Sequence, residues 1–368
     1  MRNHKPIRVA IVHDYLNQAG GAERVLDVFI SLFPQADIYT LFYDREKFGD
    51  RYHDRVRGTS FINYPIIARN HRLFIPFMPH AAESIDLGNQ YDVVISATSG
   101  YAKGIRHNPN TYHLSYCYTP LRYAWELDSY FSNPIFKSVF RPAFAYLRNW
   151  DFAAGQKPDK IITISRFIAD KIERYYGREA KIVYPPLADE KFFFDPSIPV
   201  SKYYLAVGRF MHYKKFDLLV RTFRSLPYTL KIVGSGPEDN ALRSLAGKAK
   251  NIQFLGNITD NELRHVYAGA KAFIFPQAED FGLVAAEAQA CGTPIIAYRE
   301  GGALEIVDRE SGVFFDRQDP ASVSHAVLRM ERAGFDRKAI SAKSARFSTA
   351  RFTSSFMKIL PKRFGGGA

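Results

Sequence analysis

The stretch PQAEDFGLVAAEAQACGTP, residues 276–294, decides how this chain is read. It follows the strand-like run AFIF at 272–275 and ends in Gly292 and Pro294. An apolar run, a short loop with a glycine, and then a small-residue segment is the pattern of a β-strand feeding a helix. The helix is expected to start near Gly282. Glu279 then falls on the loop and Glu287 in the second helical turn, eight positions further on. Amide groups at such a helix start are unpaired and bind anions, phosphate above all. Gly282 lets a ligand approach the backbone closely. Ala285, Ala286, Ala288 and Ala290 make a thin helix that packs tightly. A carboxylate one turn into that helix can accept two hydrogen bonds from a vicinal diol such as a ribose.

Strand-then-helix alternation extends in both directions from this stretch. IRVAIVHDY opens the chain, and GGAERVLDVFISLF follows it with helical spacing of Val25, Val28, Phe29 and Leu32. YDVVISAT, YHLSYCY, KIITIS and KIVYPP continue the pattern. Residues 185–202 break it with four prolines and no periodicity, which reads as a linker. The alternation restarts with YYLAVGR, TLKIVG, IQFLG, AFIFP, PIIAY and GVFFD. Such alternation means parallel sheet. We therefore expect two doubly wound, Rossmann-like α/β domains facing a central cleft. They span 1–187 and 203–347, joined by a linker at 188–202, with a C-terminal helix at about 348–361 packing back on the first. Ligands in these sheets bind beyond the carboxyl ends of the strands.

Three further segments sit at such edges. In VGRFMHYKKFDLLV, Arg209 directly follows a strand and Lys214 precedes a helix. Arginine offers a fork for two phosphate oxygens and lysine a point charge; helix capping or plain solvation is the competing reading. Gly20 and Gly21, between the first strand and its helix, could turn backbone N–H groups toward an anion, or simply make a tight turn. In YCYTPLRYAWEL a Thr-Pro turn puts Tyr118, Thr119 and Arg122 at the edge, while Tyr123 and Trp125 read as core aromatics.

Composition narrows the options. The 368 residues suffice for two cores. Hydrophobic content of 46% and charged content of 24% are those of a soluble globular protein. No apolar run reaches transmembrane length, and the first residues are too polar for a signal peptide. Two cysteines in apolar surroundings fit a reducing, cytoplasmic setting. The net charge of +13 asks for an anionic partner, but it is spread along the chain without a basic block, which argues against nucleic acid. G-x-G-x-x-G, G-x-x-x-x-G-K-[ST], G-x-S-x-G and D-x-D are all absent, as is any Cys/His set with metal spacing. No metal or other cofactor is expected.

These residues together resemble the retaining glycosyltransferases of family 4, a GT-B family that includes sucrose synthase-like and bacterial lipopolysaccharide enzymes. The most specific part is the E-x7-E pair, Glu279 and Glu287. VGRFMHYKKFDLL matches the family's Arg-and-Lys motif, and Gly20–Gly21 its amino-terminal loop. The resemblance implies that Arg209 and Lys214 hold the donor diphosphate, Glu287 the nucleotide ribose, and that Glu279 lies by the transferred sugar. It implies donor contacts from the backbone at Phe281, Gly282 and Leu283, and a base pocket that includes Gly234. YCYTPLRYAWEL is similar to a subgroup of bacterial mannosyltransferases that build O-antigen and exopolysaccharide. Tyr118 stands where that subgroup carries a histidine that meets donor sugar or phosphate, so it joins Glu279, Arg209 and Lys214 as a catalytic candidate. The implied activity moves a hexosyl group, mannosyl from GDP-mannose, with retention onto a glycan or lipid-linked glycan. A nucleotide-sugar epimerase on the same fold and a non-catalytic nucleotide-sugar-binding protein are the alternatives.

Residues 51–80 add a location. Five arginines against one aspartate are interleaved with Phe61, Ile66, Ile67, Leu73, Phe74, Ile75, Phe77 and Met78. Pro65, Pro76 and Pro79 exclude one long helix. Apolar residues beside arginines suit a protein lying on an anionic membrane surface; the competing reading makes the apolar residues core. Peripheral attachment to the inner face of the plasma membrane is the expectation.

Overall fold

The computed structural model describes residues 7–17, 20–127 and 140–364, with the side chains of Arg69, His71 and Arg72 left outside the description. The chain forms two compact units. The first comprises residues 1–184 with 353–368, the second residues 185–352.

The first unit is built on a parallel sheet of seven strands: β1 (Val9–Leu16), β2 (Asp37–Tyr43), β3 (Val56–Thr59), β4 (Val93–Thr98), β5 (Tyr112–Cys117), β6 (Lys160–Thr163) and β7 (Lys181–Ile182). Their spatial order is β3-β2-β1-β4-β5-β6-β7. The second has six: β8 (Tyr203–Val207), β9 (Thr229–Val233), β10 (Ile252–Gly256), β11 (Ala272–Phe275), β12 (Ile295–Tyr298) and β13 (Gly312–Phe315), ordered β10-β9-β8-β11-β12-β13. Both sheets therefore reverse direction once, between β1 and β4 and between β8 and β11. Helices cover both faces, so the central strands are buried along almost their whole length, and some are wholly apolar, as in AFIF. The loops leaving the two strands at each reversal open a crevice where doubly wound folds bind ligands.

The proline-rich residues 185–202 hold no strand, and they pack onto the second unit. Phe192 is buried against Tyr267, and Asp195 pairs with Arg264 at 3.2 Å. The helix Thr349–Met357 carries the chain back to the first unit, where Phe356 packs on Phe29 at 4.8 Å between ring centroids. Cys117 and Cys291 are free and buried, and burial pushes both thiols up to about 12. Among the described residues no helix is long and apolar enough to cross a membrane.

Candidate functional site

The site in the second unit grows from β8 and β11. β11 ends at Phe275, and the loop 276–282 leads to the helix Leu283–Ala290, capped by Gly282. Gly282 is left-handed at φ 99°, and a Cβ there would lie 2.6 Å from the Phe275 ring. No other residue type fits this corner without moving that ring. The loop is braced from β12's side. Gly302 N–H donates to the Glu279 carbonyl at 2.8 Å. A Cβ at Gly301 would stand 2.4 Å from that same carbonyl oxygen, and one at Gly302 would stand 2.2 Å from the Phe281 oxygen. The two loops thus meet backbone to backbone.

The loop leaving β8 supplies the cations. Lys214 ends a short 3-10 turn, His212–Lys214, and Lys215 adopts the left-handed conformation before the helix Phe216–Phe223. Because β8 and β11 are neighbours, Lys214 reaches across the reversal and its Nζ pairs with Glu279 Oε1. Both side chains are largely shielded, at 15% and 17% exposure. Arg209 is exposed, and its side chain has no partner among the described residues. It lines a cavity of about 490 Å³ together with Gly208, Gly234, Ser235, Gly236, Pro237, Asn257 and Ile258. Gly234 is left-handed at φ 128°, and its Cβ would stand 2.0 Å from the Gly208 oxygen.

Glu287 lies in the second turn of its helix, 3% exposed, where it accepts a hydrogen bond from the Tyr267 hydroxyl at 3.2 Å. Ala285, Ala286, Ala288 and Ala290 are all buried, so the helix lies close against its neighbours. Its first turn contains no acidic residue, which leaves the dipole end open to an anion.

The first unit places its residues at the analogous reversal. Gly20 is extended and Gly21 begins the helix Gly21–Leu32, so neither is left-handed as a loop-turning glycine would be. Glu23, in the first turn of that helix, is buried and meets His13 Nε2 at 3.2 Å. A carboxylate already sits at this helix start. Tyr118 donates to the Ala22 carbonyl at 3.2 Å, which ties the β5 loop to the same turn. Burial holds the Tyr118 hydroxyl well above its ordinary pKa, reinforced by Tyr116, Glu23 and Asp14. It therefore stays a neutral donor. Trp125 donates to Asp151 Oδ2 at 2.7 Å and stacks on Tyr175.

Several residues that the sequence did not mark organise these loops. Asp14 accepts from Thr98 Oγ1, Tyr101 N–H and Ala102 N–H, and so fixes the loop after β4. Gln277 donates to Glu279 Oε1 at 2.6 Å. Nothing in the spacing flags these: the Asp14 contacts join segments that the strand order makes adjacent, and the Gln277 contact depends on the bend of one loop.

Comparison with known proteins gives the chain its family. The model of glycosyltransferase family 4 matches residues 19–190, and that of glycosyl transferases group 1 matches residues 189–347. The chain belongs to the family 4 glycosyltransferases. It is 30% identical over 202 residues to the GDP-mannose-dependent alpha-(1-6)-phosphatidylinositol monomannoside mannosyltransferase of Mycolicibacterium smegmatis, covering 47% of this chain and 53% of that one. It is 37% identical over 148 residues to the D-inositol 3-phosphate glycosyltransferase of Mycobacteroides abscessus, covering 36% and 33%. The chain thus spans about half or less of the length of these curated relatives. The crystal structure of Anabaena Alr3699/HepE in complex with UDP superposes with a TM-score of 0.69 at 16% identity, over 96% of this chain and 99% of that chain. The likeness establishes the two-domain GT-B fold.

Proposed function

We propose that this protein moves a hexosyl group, mannosyl from GDP-mannose, with retention onto a glycan or lipid-linked glycan acceptor during cell-surface polysaccharide synthesis. The observation that carries the reading is the pairing of Lys214 with Glu279 at the β8/β11 reversal, with Arg209 of the same β8 loop lining a cavity. The M. smegmatis relative supports the GDP-mannose donor by its name. The UDP-bound neighbour supports a nucleoside diphosphate more generally.

The difficult step is departure of the nucleoside diphosphate from the anomeric carbon. Negative charge grows on the phosphate oxygens while the sugar becomes oxocarbenium-like. Arg209, Lys214 and the amides of Phe281, Gly282 and Leu283 would meet that charge, and Glu287 would take the ribose. Preorganised donors aimed at developing charge are the largest lever such a site has. Each charged hydrogen bond contributes about 1.5–3 kcal/mol. With two cations in place, the reaction is proposed to run without a metal. The test is a thermal-shift panel of GDP-, UDP- and ADP-sugars, followed by a transfer assay with and without EDTA. The reading expects the largest shift with GDP-mannose and EDTA-resistant product of retained configuration. Strict dependence on added Mg²⁺ or Mn²⁺ would contradict metal independence, and binding without product would leave a non-catalytic binder.

The same protein is proposed to lie on an anionic membrane. Phe61, Tyr64, Ile66, Leu73 and Phe77 are between 52% and 77% exposed, all within 17 residues of chain. They lie on and beside the short helix Pro65–Arg69 and the 3-10 turn His71–Phe77. So dense an apolar surface is unusual on a free-standing domain. The structure corrects the sequence expectation in part. Met78 is buried, and Ile67, Phe74 and Ile75 pack against the core. Arg51 and Arg57 pair with Asp27 and Asp37, and Arg55 donates to the Pro34 carbonyl. The side chains of Arg69 and Arg72, expected to meet head groups, lie outside the described residues. The exposed apolar residues carry the proposal, and Ile66→Ser with Leu73→Ser should reduce flotation with anionic vesicles. Equal flotation of variant and wild type would contradict it.

A further inference from the structure

Gln277 is 2% exposed and lies two residues before Glu279 in the loop leaving β11. Its Nε2 donates to Glu279 Oε1 at 2.6 Å. The orientation of this amide is chemically fixed, because turning it over would set a carbonyl oxygen against a carboxylate. Its other end, Oε1, is therefore fixed too. That oxygen is buried and has no hydrogen-bond partner among the described residues. A buried carbonyl left without a donor is costly, and native structures rarely retain one without a reason.

Glu279 Oε1 is shared. Lys214 Nζ and Gln277 Nε2 both converge on it. A diphosphate that draws Lys214 away removes one of these donors and leaves Gln277 holding the carboxylate. The backbone beneath is pinned by Gly302 N–H on the Glu279 carbonyl and by Gln318 Nε2 on the Pro276 carbonyl at 2.8 Å. The loop therefore has little freedom to carry Gln277 toward another partner.

We propose that Gln277 is a specificity-determining residue: its Oε1 accepts a hydrogen bond from one hydroxyl of the transferred sugar, while its Nε2 keeps Glu279 in place. This rests on the glycosyl-transfer reading, in which Glu279 lies by that sugar. A site built to bond a substrate hydroxyl discriminates strongly against the analogue that lacks it, because the buried acceptor is then left unpaired.

The experiment compares the active nucleotide sugar with its monodeoxy analogues, one hydroxyl removed at a time, in wild type, Gln277→Leu and Gln277→Met. Wild type should prefer the parent donor over one analogue by about a hundredfold or more in kcat/KM. In both variants that one preference should fall to within a few-fold, the preferences at the other hydroxyls should persist, and the Kd of the bare nucleoside diphosphate should hold within twofold. If parent and all analogues decline by one common factor, Gln277 merely supports the loop and the proposal is overturned. If every preference is unchanged, it is overturned as well. Failure of wild type to bind any nucleoside diphosphate would instead overturn the glycosyl-transfer reading, and this proposal with it. Two variants are used because either substitution alone could disturb folding, and a melting temperature near that of wild type qualifies each.

Discussion

At the scale of single residues, the ion pair between Lys214 and Glu279 sets a competition. The lysine that should hold the diphosphate is already engaged by a carboxylate in a shielded position. Neutralising that carboxylate releases the lysine. Glu279→Gln should therefore bind the nucleoside diphosphate more tightly, by about 1 kcal/mol or roughly fivefold, while turnover falls. Titration of nucleotide beside steady-state rates measures both, and unchanged or weakened affinity would show that Lys214 does not serve the phosphate. Glu287 calls for different handling. It is buried and accepts from Tyr267, so truncation to alanine would also leave that hydroxyl short of an acceptor, at about 1–3 kcal/mol. Glu287→Gln retains an acceptor oxygen and separates loss of ribose binding from loss of fold.

At the scale of elements, the loops after β11 and β12 act as one body because two glycines let their backbones touch. Gly302→Ala drives a Cβ to 2.2 Å from the Phe281 oxygen, so the loop carrying Glu279 must shift. We expect a stability loss of about 1–3 kcal/mol and a marked loss of donor affinity. Gly334→Ala, where nothing lies within 4 Å, is the matched control and should change neither; urea unfolding and nucleotide titration decide it. This scale also shows what could be read in advance. All six strands of the second sheet stand out as short apolar runs, and the central β8 and β11 are buried on both faces. In the first sheet β2 and β3 did not. β2 shows Asp37, Tyr39 and Tyr43 partly to solvent, and β3 alternates half-buried with exposed residues as an edge strand. Among candidate site residues, Arg209, Lys214, Glu279 and Glu287 follow from motif spacing. Gln277, Asp14 and the His13–Glu23 pair do not: Asp14 bonds Ala102 at 88 positions' separation, while Gln277 and His13 meet carboxylates only two and ten positions away. The first kind of partner is set by strand order and the second by loop geometry, neither of which local pattern encodes.

At the scale of the whole molecule, stability is linked to pH through the first unit. His113, on β5, is enclosed between Ser96 Oγ at 2.8 Å and His107 Nε2 at 3.2 Å. Burial holds its pKa well below the ordinary imidazole value, and His107, Lys157 and Arg178 add to the effect. Above about pH 6.5 both folded and unfolded chains carry a neutral ring. Below it the unfolded chain binds a proton that the folded chain refuses, so stability falls as pH falls, by up to about 1.4 kcal/mol per unit until the folded pKa is reached. His113→Gln removes this dependence. The stability advantage of wild type over the variant should shrink between pH 7 and pH 5, and a constant difference would contradict the assignment.

The account's central claim is that Arg209 and Lys214 form the diphosphate site of a nucleotide-sugar transferase. Calorimetric titration of GDP, UDP and ADP into the full chain tests it most directly, with Arg209→Ala and Lys214→Ala alongside. Arg209 is exposed and its side chain is unpartnered among the described residues, so its removal should leave stability within about 0.5 kcal/mol. The account predicts that a nucleoside diphosphate, GDP foremost, binds wild type far more tightly than its nucleoside. Each substitution should weaken that binding by about 1.5–3 kcal/mol, roughly ten- to a hundredfold. Equal affinity for diphosphate and nucleoside, or full affinity in both variants, would contradict it.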